Sequence, residues 1–315
     1  MKIDFINALQ NKDLSMLKKT CKTDLHNHSM NSCTRNYLIE NGIYIPNNES
    51  IVDIASMISF SRTYINPLAY NKKTMPILLK GNFENCINTG VRIVGTSVDY
   101  KICMKVFDSN INEFINFLES FKYDELTILW ELGISRDTYV DEHKDLIMQL
   151  LKAKFFIGID LYATENSVPN EKFIDFYKVS NSLNMITAVH AGETLGADYI
   201  ADCINDFNPK QIQHGIRIIE DKRVMELAKN KGIVFNVCPT SNVILGYAKS
   251  IKEHPIGVMY NNGLKVTIAS DDVLFFNSNI NDEYLALFND KVLSAKQLDE
   301  IRENGIIESH TSRVT

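Results

Sequence analysis

Along the chain, short apolar runs rich in β-branched residues alternate with longer stretches in which apolar positions recur every three or four residues. The short runs, at 23–28, 91–100, 126–134, 155–161, 185–190, 211–214, 233–238 and 264–270, read as strands, because their length and composition suit a buried pleated surface. Stretches such as 111–121, 141–154, 171–183 and 221–231 carry an apolar stripe at helical period and read as helices. Alternation of strand and helix predicts a parallel sheet. Eight such units over 315 residues predict one closed (β/α)8 barrel of the TIM type, in the α/β class, as a single domain spanning 1–315. Periodicity alone also allows an open doubly wound sheet. The GxGxxG turn of its dinucleotide-binding form is missing after the first strand, which favours the barrel.

Composition narrows the partners. A formal net charge of -6 argues against a sequence-independent grip on nucleic acid, which needs a basic face. A small-molecule substrate fits better. The first residues, MKIDFINALQNKDL, are amphipathic and charged, and no stretch reaches the roughly 18 apolar residues of a membrane span, so a cytoplasmic protein with no membrane contact is expected. Six cysteines stand far apart with no CxxC pair, in a chain large enough to fold without staples, and read as reduced, mostly buried thiols.

In a barrel of this kind the chemistry is built at the C-terminal ends of the strands, so polar residues ending apolar runs are the ones to examine. Strand 1 ends in Asp24-Leu25-His26-Asn27-His28, and alternation puts His26 and His28 on one side. Strand 5 ends in Val189-His190-Ala191-Gly192-Glu193, strand 6 in Gln213-His214-Gly215, and strand 8 in Ala269-Ser270-Asp271-Asp272. Any one of these alone could be a satisfied core histidine or a helix-capping aspartate. Together, four imidazoles and two adjacent carboxylates fall only at strand ends. Zinc prefers neutral imidazole and carboxylate, and a catalytic site keeps a position open for water, which three imidazoles and one carboxylate would leave. Glu193, His214 and Asp271 are the residue types for moving protons beside it.

These residues resemble the adenosine and AMP deaminase superfamily. The resemblance rests on Asp-Leu-His-Asn-His at 24–28, Gly-Ile-Asp-Leu at 158–161, His-Ala-Gly-Glu at 190–193, His-Gly at 214–215, Val-Cys-Pro-Thr-Ser-Asn at 237–242, His-Pro at 254–255 and Ser-Asp-Asp at 270–272. It implies that His26, His28, His190 and Asp271 bind one zinc ion. Glu193 would pass a proton to the purine N1, and His214 would orient the attacking water and take part of its proton. Asp272 would meet N7, and the Gly158 backbone would meet N3. The reaction implied is hydrolytic deamination of a 6-aminopurine nucleoside or nucleotide, most simply adenosine or 2′-deoxyadenosine, with a 5′-modified adenosine, AMP, dAMP or free adenine as alternatives. Residues 30–90 would supply lid helices between strands 1 and 2.

Two departures stand out. Relatives acting on adenosine usually follow the paired histidines with an acidic residue that holds the ribose 5′-hydroxyl, whereas this chain reads Ser29-Met30-Asn31-Ser32-Cys33. Ser32, Cys33 and Leu38 are loosely similar to the AMP deaminase loop. Val273 stands where the family usually has proline, a change expected to affect loop shape only. Arg62, Lys72 and Lys73 read as surface charges that could meet a phosphate, and Met57, Phe60 and Tyr64 as packing residues. His143, His254 and His310 receive no catalytic role, and Cys238 reads as core. A PHP-type metal phosphoesterase also begins with this histidine pattern but lacks His-Ala-Gly-Glu and Val-Cys-Pro-Thr-Ser-Asn. A catalytically dead relative would be marked by loss of Glu193 or His214, and both are present.

Overall fold

The computed structural model describes residues 4–138 and 140–311, with nothing on the side chains of 310 and 311, so the His310 side chain lies outside what is described. Eight strands form one sheet in chain order: β1 (Lys22–His28), β2 (Val91–Asp99), β3 (Thr127–Ser135), β4 (Gly158–Tyr162), β5 (Ile186–Ala191), β6 (Gln211–His214), β7 (Val234–Val237) and β8 (Lys265–Ile268). Each is parallel to the next, and the sheet closes where Asn27 bridges Asp271 and the Asp271 N–H donates to the His26 carbonyl at 3.1 Å. The expected eight-stranded barrel is therefore the observed one. Strands flanked on both faces have no solvent-facing alternate, so Ile159-Asp160-Leu161 and Val189 through Ala191 are buried throughout, Asp160 and His190 included.

Helices pack outside. Lys222–Asn230 starts at the expected place because the Asp221 carboxylate accepts from the Arg223 N–H, and Ile111–Glu119 because Asn110 accepts from the Glu113 N–H. The C-terminal helix Ala295–Thr311 lies across the β8/β1 seam. Gly305 permits that approach, since a Cβ there would sit 2.3 Å from Thr23 Oγ1. The strand at 155–161 was expected to begin earlier than it does. Phe155 and Phe156 instead pack edge to face outside the barrel, and Phe156 meets Phe114.

The lower barrel interior is filled by polar side chains that satisfy one another. Asn236 Nδ2 donates to Gln211 Oε1 and Gln213 Oε1, both at 2.8 Å, and Thr267 Oγ1 donates to Asn236 Oδ1 at 2.7 Å. Among the described residues no helix is long and apolar enough to cross a membrane. Five of the six free cysteines are buried, and Cys21 is exposed.

Candidate active site

The C-terminal ends of β1, β5, β6 and β8 open into one cavity whose lining includes His28, His190, Glu193, His214, Asp271 and Asp272. Helices from the β1–β2 connection line its other side through Ile54, Met57, Ile58 and Arg62, the position expected of a lid. Met30 also lines the cavity and is buried. Lys72 faces Glu113 at 3.1 Å instead, and Phe60 packs between Tyr64 and Phe275.

Backbone conformation aims two of the polar ends. His214 and Asp271 adopt φ of 60° and 58°, a left-handed conformation rare for side chains of this size and often kept at functional sites. It re-aims each side chain where the strand's alternation ends. Gly215 follows His214 at φ 64°, and a Cβ there would lie 2.4 Å from the Phe235 ring, so only glycine fits the turn.

The donor atoms converge. His26 Nε2 and His28 Nε2 each lie 3.5 Å from Asp271 Oδ1. His190 joins His26, His28 and Asp160 in a group whose donor atoms all fall within 4.8 Å of one another, and His26, His214, Cys238 and Asp271 form a second such group. Zinc–nitrogen and zinc–carboxylate bonds of about 2.0–2.1 Å place neighbouring ligands of a tetrahedral ion roughly 3.3 Å apart, close to the spacing here. His26 Nε2 is buried and makes no hydrogen bond, as an atom reserved for a ligand would. These residues fit a zinc-type ion. Asp160 sits differently, with Oδ1 3.3 Å from His190 Nδ1, on the side of that ring away from a coordinating Nε2. Asp271 is thus the carboxylate facing Nε2 of His26, His28 and His214.

The remaining ring nitrogens are held from behind, a recurrent feature of metal-binding histidines. Ser97 Oγ lies 3.0 Å from His28 Nδ1, and Leu161 O lies 3.2 Å from His190 Nδ1. Asn242 Nδ2 lies 3.1 Å from His214 Nδ1. Glu165 holds the loop after β5, accepting from the N–H groups of Glu193 at 2.9 Å, Thr194 at 2.9 Å and Leu195 at 2.6 Å. Ser32 Oγ donates to the carbonyls of Asp271 at 2.7 Å and His28 at 2.9 Å, tying the first and last strand ends together.

Burial and charge set the proton states. Burial, assisted by His26, lowers His28 to about 4, and burial drives His214 well below the usual imidazole value. For His190 burial is outweighed by Asp160, Glu193 and Asp271, which raise it to about 9. Burial opposes ionisation of Asp271, yet the three neighbouring imidazoles hold it far below the carboxylate range. Glu193 goes the other way: burial, with Glu165 and Asp271 nearby, pushes it well above that range, and Asp272 follows through burial and the charge of Asp271. Burial thus biases both Glu193 and Asp272 toward the protonated, donating form. His214 Nε2 stands 3.6 Å from Glu193 Oε1. Burial pushes the Cys238 thiol up, so it is no thiolate.

One expectation fails. Gly158 opens β4 at the N-terminal end of that strand, where a Cβ would meet Ile186 O and the Glu131 side chain, and it does not line the cavity. The residues of that segment that do line it, Tyr162 and Ala163, lie at the strand's other end, so the matched tetrapeptide was read at the wrong terminus. Sequence reasoning also passed over Asp160 and Asn242, although both stand inside matched motifs. Ser97 and Glu165 carry no signal of their own.

Comparison with known proteins agrees with this geometry. The family model described as adenosine deaminase matches residues 125–313. A Treponema pallidum (strain Nichols) protein provisionally designated adenosine/adenine deaminase is 28% identical over 273 residues, covering 84% of this chain and 90% of that one. The adenine deaminase of Marinomonas sp. (strain MWYL1) is 35% identical over 49% of this chain, a match spanning about half (46%) of that relative. The structure of an amidohydrolase from Burkholderia ambifaria with bound zinc shares the fold at a TM-score of 0.77 and 17% identity, over 95% of this chain and 90% of that one. By its family model, this chain belongs to the adenosine deaminase family and is a metal-dependent aminohydrolase of the kind that deaminates adenine-containing compounds.

Proposed function

We propose that this protein hydrolytically deaminates a 6-aminopurine, with adenosine or 2′-deoxyadenosine as substrate, one zinc ion as cofactor and the whole chain as a single catalytic domain. The observation carrying this reading is the meeting, in one cavity, of the buried carboxyl of Glu193, which burial biases toward its protonated form, with a set of imidazoles arranged around the Asp271 carboxylate. His26, His28, His190 and Asp271 would hold the ion. When bound, zinc supplies the Lewis acidity that makes water nucleophilic near neutral pH. The chain's own groups do the rest. Glu193 holds a proton that it delivers to the ring nitrogen beside the amine, which makes the adjoining carbon electrophilic. Asp272 donates to a second ring nitrogen, His214 orients the attacking water, and the Glu193 carboxylate left by the first transfer takes one of that water's protons, the other going to the departing amine.

Ammonia release tests this with adenine, adenosine, 2′-deoxyadenosine, 5′-modified adenosines, AMP and dATP, zinc-loaded against chelated. Turnover lost on chelation supports the proposal. Silence across the panel with zinc measured in place would overturn it. Zinc should also raise the melting temperature, because an ion bound only by the folded state stabilises it by mass action. A second reading is a 5′-modified nucleoside or the free base, favoured because apolar Met30 lines the cavity where adenosine-specific relatives place an acid.

A further inference from the structure

We infer that Asn242 and His254 are positioning residues that lock His214 into the tautomer carrying its proton on Nε2, so that it presents an N–H donor to the cavity. The inference rests on the proposed role of His214 at the reacting end of the site. It begins from a backbone group whose polarity has no alternative. The Ile256 N–H donates to His254 Nδ1 at 3.1 Å, which makes that nitrogen an acceptor. Buried and driven down to about 3 by desolvation, His254 is neutral, so its proton sits on Nε2. That N–H points at Asn242 Oδ1, 3.2 Å away. The amide orientation is thereby fixed. Reversing it would set an amide N–H against the N–H of His254. Asn242 Nδ2 must then donate to His214 Nδ1 at 3.1 Å, and a neutral His214 is left with its proton on Nε2.

Asn242 is fully buried in the helix Pro239–Ile244, and its backbone carbonyl accepts from the N–H groups of Tyr247 and Ala248, both at 2.8 Å, which anchors the main chain from which the amide projects. Nε2 of His214 faces Glu193 Oε1 at 3.6 Å and Asp271 Oδ2 at 3.9 Å, beyond direct hydrogen bonding, which leaves the N–H free for a molecule between them. An imidazole in this form aims a donor and cannot accept a proton at that nitrogen. His214 therefore contributes direction, and the uptake of a water proton expected of it is unavailable in the resting form. The Val-Cys-Pro-Thr-Ser-Asn and His-Pro motifs acquire one shared purpose, the delivery of a backbone polarity across two side chains to the site.

The test is long-range ¹H–¹⁵N correlation on histidine-labelled protein, metal-free and zinc-loaded, with His214 and His254 assigned by single replacement. The expected result is a protonated Nε2 and a bare Nδ1 on both rings. A proton on Nδ1 of His214 would overturn the inference. Asn242→Leu removes the donor to Nδ1 and should let the His214 proton occupy Nδ1 as well, with kcat falling about 100-fold while KM holds. His254→Gln, whose amide can still donate to Asn242, should keep the wild-type signature. An Asn242→Leu variant whose His214 stays wholly protonated on Nε2 would also overturn it, and the wild-type spectrum decides if that variant does not fold. Wild-type protein silent toward every purine but showing the expected spectrum would remove the deaminase reading and leave the tautomer assignment standing.

Discussion

The barrel interior has two polar levels, equally buried, that differ in whether their groups have partners. In the lower level Asn236 bonds Gln211, Gln213 and Thr267, and of their fully buried polar atoms only Gln213 Nε2 is without a hydrogen bond. In the upper level His26 Nε2, both oxygens of Asp160 and Asp272 Oδ1 are buried without a well-formed hydrogen bond. Burial alone thus does not mark a site. Interiors normally satisfy their polar groups. A cluster that leaves several unsatisfied at one strand end marks where a ligand completes the structure, while the level beneath is finished as it stands.

The sharpest way to break this comparison is at the upper level. Glu193→Gln keeps shape and burial but removes the transferable proton, so kcat should fall by about 10²–10⁴-fold with zinc content unchanged by metal analysis. Retained activity would take Glu193 out of proton transfer. Glu283 offers a contrast, a buried acid outside the cavity that has partners. It accepts from the Thr240 N–H at 2.9 Å and from the Ser278 hydroxyl, yet burial raises it to about 7. Between the ordinary value near 4.5 and 7 the folded state binds the extra proton, so this group's contribution to stability is present below that window and is lost as pH rises through it. The loss is on the order of 3–4 kcal/mol. Denaturant titrations at several pH values should show that slope in the wild type and a flatter one in Glu283→Gln.

At the lower level Asn236→Leu should cost about 1–3 kcal/mol in urea unfolding, because Gln211, Gln213 and Thr267 lose their shared partner. Zinc binding and turnover of the folded protein should persist. If activity fell with the metal in place, the two levels would be one functional unit.

The two levels also differ in how well the sequence reveals them. Strand ends with histidine and aspartate were readable because such residues have little reason to end an apolar run, and all of His26, His28, His190, Glu193, His214, Asp271 and Asp272 meet as the barrel closes. Strand cores were readable from apolar content, with β6 matching at both ends, while 155–157 misled because Phe155 and Phe156 pack outside the barrel. The supports behind the imidazoles were not readable. Ser97 reaches His28 from β2 and Glu165 reaches the loop after β5 from beyond β4, pairings that depend on which strands are neighbours. Gly158 shows the same limit, since a short motif does not say which end of its strand faces the site.

The smallest expected effect concerns Met30, buried just after β1 and lining the cavity with His28 and with helical residues of the β1–β2 connection. A thioether gives a sugar hydroxyl no acceptor worth the loss of its water, so a free 5′-hydroxyl would enter at a cost. An introduced carboxylate would accept from that hydroxyl, a charge-assisted bond contributing about 1.5–3 kcal/mol. Met30→Asp should therefore raise kcat/KM for adenosine about tenfold relative to a 5′-deoxy or 5′-alkylthio analogue. If the ratio does not move, the 5′ group lies elsewhere in the cavity, and Arg62, the one cation among the β1–β2 helical residues that line it, becomes the next position to change.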